Sequence, residues 1–139
     1  MFMHKGSGII LIMNLFEYKI AALVNQARIA EGLPPLILDD RLFEAARLKS
    51  GDMRDRNYCG HQSPVYGSPF DMLGNLGIDY RRAGENVAMG YHTPEKVMKG
   101  WMESPGHRSN IIGADYEKTG VGVVKDSSGT VYWTQLFIC

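Results

Sequence analysis

The stretch Val131-Tyr132-Trp133-Thr134-Gln135-Leu136-Phe137-Ile138 carries large apolar groups at both parities of an extended chain. Val131, Trp133 and Phe137 fall on one side, and Tyr132, Leu136 and Ile138 on the other. A strand that is apolar on both faces has to be covered on both faces. Just upstream, Val121, Val123 and Val124 precede the turn residues Asp126-Ser127-Ser128-Gly129, so the pattern predicts a β-hairpin. The fold class that follows is α+β: an α-β-α sandwich with a small antiparallel sheet between helical layers.

The rest of the chain supplies the helices. Asn14 stands before apolar residues at Phe16, Ile20, Leu23, Val24 and Ala27, with Glu17 three residues on as in a capping box. This predicts a first helix from about Leu15 to Glu31, closed by Gly32 and Pro34-Pro35. Asp39 or Asp40 caps a second helix, apolar at Leu42, Phe43, Ala46, Leu48 and Met53, ending near Asn57. Its other face carries Arg41, Glu44, Arg47, Lys49 and Asp52, read as the solvated side. Ser68-Pro69-Phe70-Asp71 opens a short third helix that Gly77 ends, and Ile78 to Ala83 reads as a strand delivering Glu85 at its exit. Thr93-Pro94-Glu95 opens another helix, with Val97, Met98, Trp101 and Met102 turned inward and Glu103 on the last turn. Pro105-Gly106 breaks it, leaving His107 on the reversal.

A chain of 139 residues is one domain's worth. Lys plus Arg equals Asp plus Glu at 15 each, without a basic run, so nucleic acid is not an expected partner. No uninterrupted apolar run reaches about 18 residues, so no transmembrane segment is expected, and a monomer is. Ile9 to Met13 is shorter than the roughly 7–15 residues of a signal-peptide core. Residues 1–13 therefore read as a leader or vector-derived segment, or else as a docking arm, and 14–139 as the domain. Cys59 and Cys139 lack metal-type spacing; they are either inert buried thiols or one bridge.

Polar residues gather where burial is otherwise expected: His61 in Gly60-His61-Gln62-Ser63-Pro64, Glu85 in Gly84-Glu85-Asn86, then Glu103 and His107. Two imidazoles give a partial site for zinc or another divalent metal, with His61 and His107 as ligands. Glu85 and Glu103 suit the role of orienting imidazole N–H groups or metal-bound water, and such a site is weak and exchangeable. As a hydrolase, the same cluster offers Glu85 or Glu103 as general base. No nucleophile elbow accompanies them. A polar network that only pins loops to the sheet is the third reading.

Gly84-Glu85-Asn86, Trp101-Met102-Glu103 and Gly106-His107-Arg108-Ser109-Asn110-Ile111, with the His-x-Ser-Pro loop and the closing Trp133-Thr134-Gln135, resemble the CAP superfamily. That superfamily joins cysteine-rich secretory proteins, antigen 5 and plant pathogenesis-related proteins, and the likeness is to its bacterial sperm-coating-protein-like (SCP-like) branch. The resemblance covers the chain from about Asn14 to its C-terminus. It implies an α-β-α sandwich, a cleft tetrad at His61, Glu85, Glu103 and His107, and divalent metal, often zinc, on the two histidines. It further implies an extracellular or cell-surface location and a small ligand, whether lipid, glycan or peptide. On that resemblance a non-catalytic binding module comes first and a peptidase-like metal-dependent hydrolase second.

Overall fold

The computed structural model of the chain describes residues 5–139. Of the expected leader, residues 1–4 lie outside the described residues. The elements in chain order are α1 (Lys5–Ala30), β1 (Ile37–Leu38), α2 (Asp40–Arg56), α3 (Pro69–Asn75), β2 (Ala83–Met89), α4 (Pro94–Met102), α5 (Pro105–Ile111), β3 (Lys118–Lys125) and β4 (Val131–Ile138). The strands form one sheet in the order β1-β3-β4-β2.

All eight residues of β4 are buried, and the strand divides the interior as its two apolar parities require. Val131, Trp133 and Phe137 share a core with Ile20, Ala21 and Val24 of α1 and Val97, Met98 and Trp101 of α4. On the opposite face, Leu136 and Ile138 pack with Leu42, Ala45 and Ala46 of α2 and Met72 and Leu73 of α3. The α-β-α sandwich is thus the observed fold. The sheet is mixed and not purely antiparallel, because β1 pairs parallel with β3 at Ile37 to Lys118 and Leu38 to Thr119. Two residues leave no periodicity to read, so that strand has no sequence signature.

Strand β3 holds α2 unusually close. Its Gly120 and Gly122 point at α2 while Val121 and Val123 point into the α1 core. A Cβ on Gly122 would lie 2.2 Å from the backbone of Ala46 and Arg47, and one on Gly120 equally near Leu42 and Phe43. Helix α2 therefore rests on strand backbone, with no side-chain layer between.

Several local readings are corrected. Helix α1 begins at Lys5, not near Leu15, and Asn14 is interior to it, because no breaker separates Ile9–Met13 from the helix that follows. Glu17 is not a capping residue: fully buried, it accepts hydrogen bonds from Arg47 of α2 at 2.6 Å and from the Val123 N–H at 3.0 Å. That N–H lies on the edge of β3 beyond the reach of β1, where an unpaired donor would otherwise be left. By length and composition alone Gly8–Ala30 is long and apolar enough to cross a membrane, and the same helix packs Ile20, Ala21 and Val24 into the core. Asn14, Glu17 and Lys19 interrupt its apolar residues, so it holds no unbroken apolar run. Ile78 to Arg82 lies outside the strands, and Glu85 sits within β2, paired with Leu136, instead of at a strand exit. Cys59 is exposed, Cys139 is half-buried, and both are free, so neither a bridge nor a pair of buried thiols is formed. Backbone bonds to Arg81 and Arg82 fix Cys139 beside those residues, whereas Cys59 lies in the loop after α2.

Gly122→Ala is expected to lower stability by about 1–3 kcal/mol or more, the range for overpacking against a backbone that has to move. Val121→Ala, on the opposite face, instead leaves a cavity. Denaturant midpoints at constant m-value measure both, and an unchanged midpoint for Gly122→Ala would contradict the close approach.

Candidate functional site

The free edge of β2 is where the two layers meet. Along β2, Val87 packs with Met53 of α2 and Tyr132, whereas Ala88 belongs to the α1–α4 core. Glu85 shares the parity of Val87 and so faces the α2 side, while Asn86 faces α5. Side chains take the carbonyls on this edge: Trp101 Nε1 donates to Val87 O at 3.3 Å and Asn110 Nδ2 to Glu85 O at 3.2 Å. Asn86 Nδ2 in turn donates to His107 O at 3.1 Å. These bonds lock α4 and α5 against β2 and set His107 beside it.

His61 arrives from the other layer. Asp39 caps α2, Asn57 ends it in the left-handed conformation at φ 55°, and the chain turns into the loop that carries His61. That loop is fastened through Asp52, which accepts hydrogen bonds from Ser63 Oγ at 2.6 Å, from Arg56 Nε at 2.8 Å and from the Tyr58 hydroxyl. Burial alone would raise the Asp52 carboxyl, but the bonds from Ser63, Tyr58 and Arg56 outweigh it and hold the group below its usual range. Burial and the Asp52 carboxylate push the Tyr58 hydroxyl up to about 12. Ser63 Oγ also accepts from the N–H groups of Val65 and Tyr66, closing the turn at Pro64.

Lys49 lies under this loop. It is 1% exposed, and its Nζ donates to His61 O at 3.1 Å and to Tyr58 Oη at 3.3 Å. Burial pushes its pKa down, and the fields of Glu85 and Asp52 resist that fall. Lys49 and Asp52 thus belong to the inside of α2, not to its solvated face. The signal was present in sequence: Leu42, Ala45, Ala46, Lys49 and Met53 follow the spacing of one buried stripe.

His61 Nδ1 donates to Glu85 Oε1 at 2.9 Å. The Glu85 side chain is almost wholly buried, and its other oxygen, Oε2, has no hydrogen-bond partner among the described residues. This hydrogen bond raises the His61 pKa above its ordinary value, while burial and the charge of His61 lower that of His107. His107 stands on the first turn of α5, a helix that Pro105 initiates, and not on an irregular reversal. Its Nδ1 is 2.9 Å from Ser104 Oγ, which explains why Ser104, at the N-cap position, makes no capping bond.

Of the four expected site residues, His61 and Glu85 are joined directly, and His107 is tied to the same strand through Asn86. Glu103 follows the last turn of α4, its side chain is 67% exposed, and its ion-pair partner is Lys99 at 3.9 Å. No hydrogen bond joins it to the other three among the described residues. Both histidines have Nδ1 engaged, and neither Nε2 is hydrogen-bonded among the described residues. With Nδ1–H donated to Glu85, the His61 Nε2 carries the lone pair that a metal takes, and donation from His107 Nδ1 to Ser104 gives the same at the second ring. Each ring taken singly thus has the donor chemistry of a metal-ligating imidazole. No group of three His, Cys, Asp or Glu gathers for a metal among the described residues.

Comparison with known proteins agrees with the fold. YkwD of Bacillus subtilis (strain 168), named an uncharacterized protein, is 51% identical over 126 residues, which are 91% of this chain and 48% of that protein. YlbC of the same organism, named an uncharacterized membrane protein, is 38% identical over 127 residues, or 91% of this chain and 35% of that one. The chain thus spans less than half the length of either relative. The crystal structure of an extracellular protein containing a SCP domain from Bacillus anthracis str. Ames matches with a TM-score of 0.89 at 31% identity, covering 99% of this chain and 44% of that one. A family model for the cysteine-rich secretory protein family, CAP, matches residues 21–137, and the chain belongs to that family.

Proposed function

We propose that this domain is an extracellular or cell-surface binding module whose cleft takes a divalent cation, zinc or another of that class, weakly and exchangeably through His61 and His107. The observation that carries this reading is the bond from His61 Nδ1 to the buried Glu85 carboxylate, which fixes the ring and leaves Nε2 as an electron-pair donor. Held by His61 and His107, such an ion would supply a Lewis-acidic point for an oxygen of a small ligand. The chain's own residues orient that point: Glu85 holds His61, Ser104 holds His107, and Asn86 and Asn110 hold the backbone that carries them. With two protein ligands the site stays open and binds less tightly than a closed four-ligand site. The extracellular placement is supported by the family and by the Bacillus anthracis relative being described as extracellular.

A hydrolase asks for more. Its usual third protein ligand is not among the gathered residues, and Glu103, one candidate base, stands apart at the surface. The purely structural reading does have specific support, since Lys49, Asn86 and Asn110 each use side-chain donors to hold the main chain of site residues.

Calorimetric titration of zinc into the parent chain, His61→Ala and His107→Ala separates these readings. The parent is expected to bind and each variant to lose most of the affinity; no binding by the parent leaves the polar-network account. Because Glu85 raises the His61 pKa, zinc affinity is expected to begin falling above pH 6.5 on acidification, as protons compete for the ring. The same shift has a folding consequence of opposite sign. The stability that His61 gains from Glu85 is fully present below its unfolded pKa of about 6.5 and is lost as pH rises through the higher folded value. Glu85→Gln is therefore expected to narrow its stability gap from the metal-free parent as pH rises through that window, measured by denaturant midpoints. A gap that widens through it would contradict the pairing.

A further inference from the structure

We propose that Lys49 is a positioning residue of the cleft: its buried ammonium fixes the backbone of His61 and serves as counter-charge to Glu85, so that the imidazole stays on the carboxylate with Nε2 free. The inference rests on the reading of the cleft as a cation site and assigns to it a residue from the opposite helical layer.

Burying an ammonium is costly unless its donors and its charge are both met. Two of its three N–H donors are used, on His61 O and Tyr58 Oη, and the amine also lies 5.0 Å from the centre of the Tyr58 ring. None of these partners is an anion. The acids whose fields favour the ammonium are Glu85 and Asp52. Both oxygens of Asp52 are already taken, Oδ1 by Arg56 and Oδ2 by Tyr58 and Ser63. Glu85 is different. One of its oxygens holds His61, and the other is buried without a partner among the described residues. A buried ammonium on the His61 carbonyl and a buried carboxylate on the His61 ring thus flank one residue, and their opposite charges favour one another there. Removing the ammonium leaves Glu85 with the His61 N–H alone and frees the carbonyl of the residue it must hold.

The bland account makes Lys49 a fastener for the loop and nothing more. Lys49→Gln tests it, because Gln retains a donor for His61 O but no charge, whereas Lys49→Met removes both. With far-UV circular dichroism unchanged, zinc affinity is expected to fall about tenfold or more in Lys49→Met, the usual effect of losing a group that supports a ligand. Lys49→Gln is expected to show a loss of the same order. In a His61→Ala background the Lys49 substitutions are expected to have no further effect, since the residue acts through His61. Parent-like affinity in folded Lys49→Met, a loss confined to Lys49→Met, or an equal loss in the His61→Ala background would each overturn the proposal. If Lys49→Met does not fold, Lys49→Gln is read by the same criteria.

If the parent chain takes no zinc, the cation-site reading falls while the positioning claim is still decided on metal-free protein. Ring ¹⁵N resonances of His61 are expected to show an Nδ1-protonated, Nε2-unprotonated pattern in the parent that averages out in Lys49→Gln. An identical ring spectrum in both proteins overturns it.

Discussion

The packing of α2 onto Gly120 and Gly122 is the constraint from which most of this structure follows. With two glycines in place of side chains, the helix lies flush on β3, and a methyl at either position would meet backbone at 2.2 Å. That closeness is why polar residues further along α2 are inside the protein. Ser50 Oγ reaches Gly122 O at 2.8 Å and Thr134 Oγ1 at 2.7 Å, and Lys49 and Asp52 are buried beside it. Each buried polar group then requires a partner, and the partners of Lys49 and Asp52 lie in the loop from Tyr58 to Ser63. The loop that carries His61 is thus placed by a demand that begins at two glycines.

The second organising fact is how the sheet ends. Beyond β1, the outer edge of β3 is closed by Glu17 on α1, which is itself held by Arg47 on α2. The outer edge of β2 is closed by Trp101 and Asn110 from α4 and α5, which share the layer of α1. Both devices replace a neighbouring strand with side chains, which protects an edge from pairing with another chain. At β2 the arrangement leaves more than protection. Its alternation sends Glu85 to one helical layer and Asn86 to the other, so a histidine from each layer is drawn to the same stretch of edge.

Much of the framework was legible in the sequence because it rests on local rules. The two apolar parities of β4 required a covered sheet. Ser68 and Asp71 form the capping box that their spacing announces, Thr93 caps α4, and Gly32 and Gly77 take positive φ at 75° and 73° where helices had to stop. What was not legible depended on contacts distant along the chain. Glu17 reads as a cap three residues after Asn14 until Arg47 and Val123 claim it. The two residues of β1 have no pattern of their own. At the candidate site the motifs single out His61, Glu85, Glu103 and His107, but which of them touch is not in their spacing: His61 meets Glu85, and Glu103 meets Lys99. Lys49 was a misreading of available information, since its place on the buried stripe was in the helical spacing while its charge argued for solvent.

The central claim is that two imidazoles from opposite layers present Nε2 atoms to one cation at the edge of β2. X-ray absorption spectroscopy at the zinc edge of the loaded full chain tests it most directly. The account requires two imidazole nitrogens at about 2.0–2.1 Å, with oxygen completing the shell. A single imidazole, or a thiolate sulfur at about 2.3 Å from either free cysteine, would contradict it.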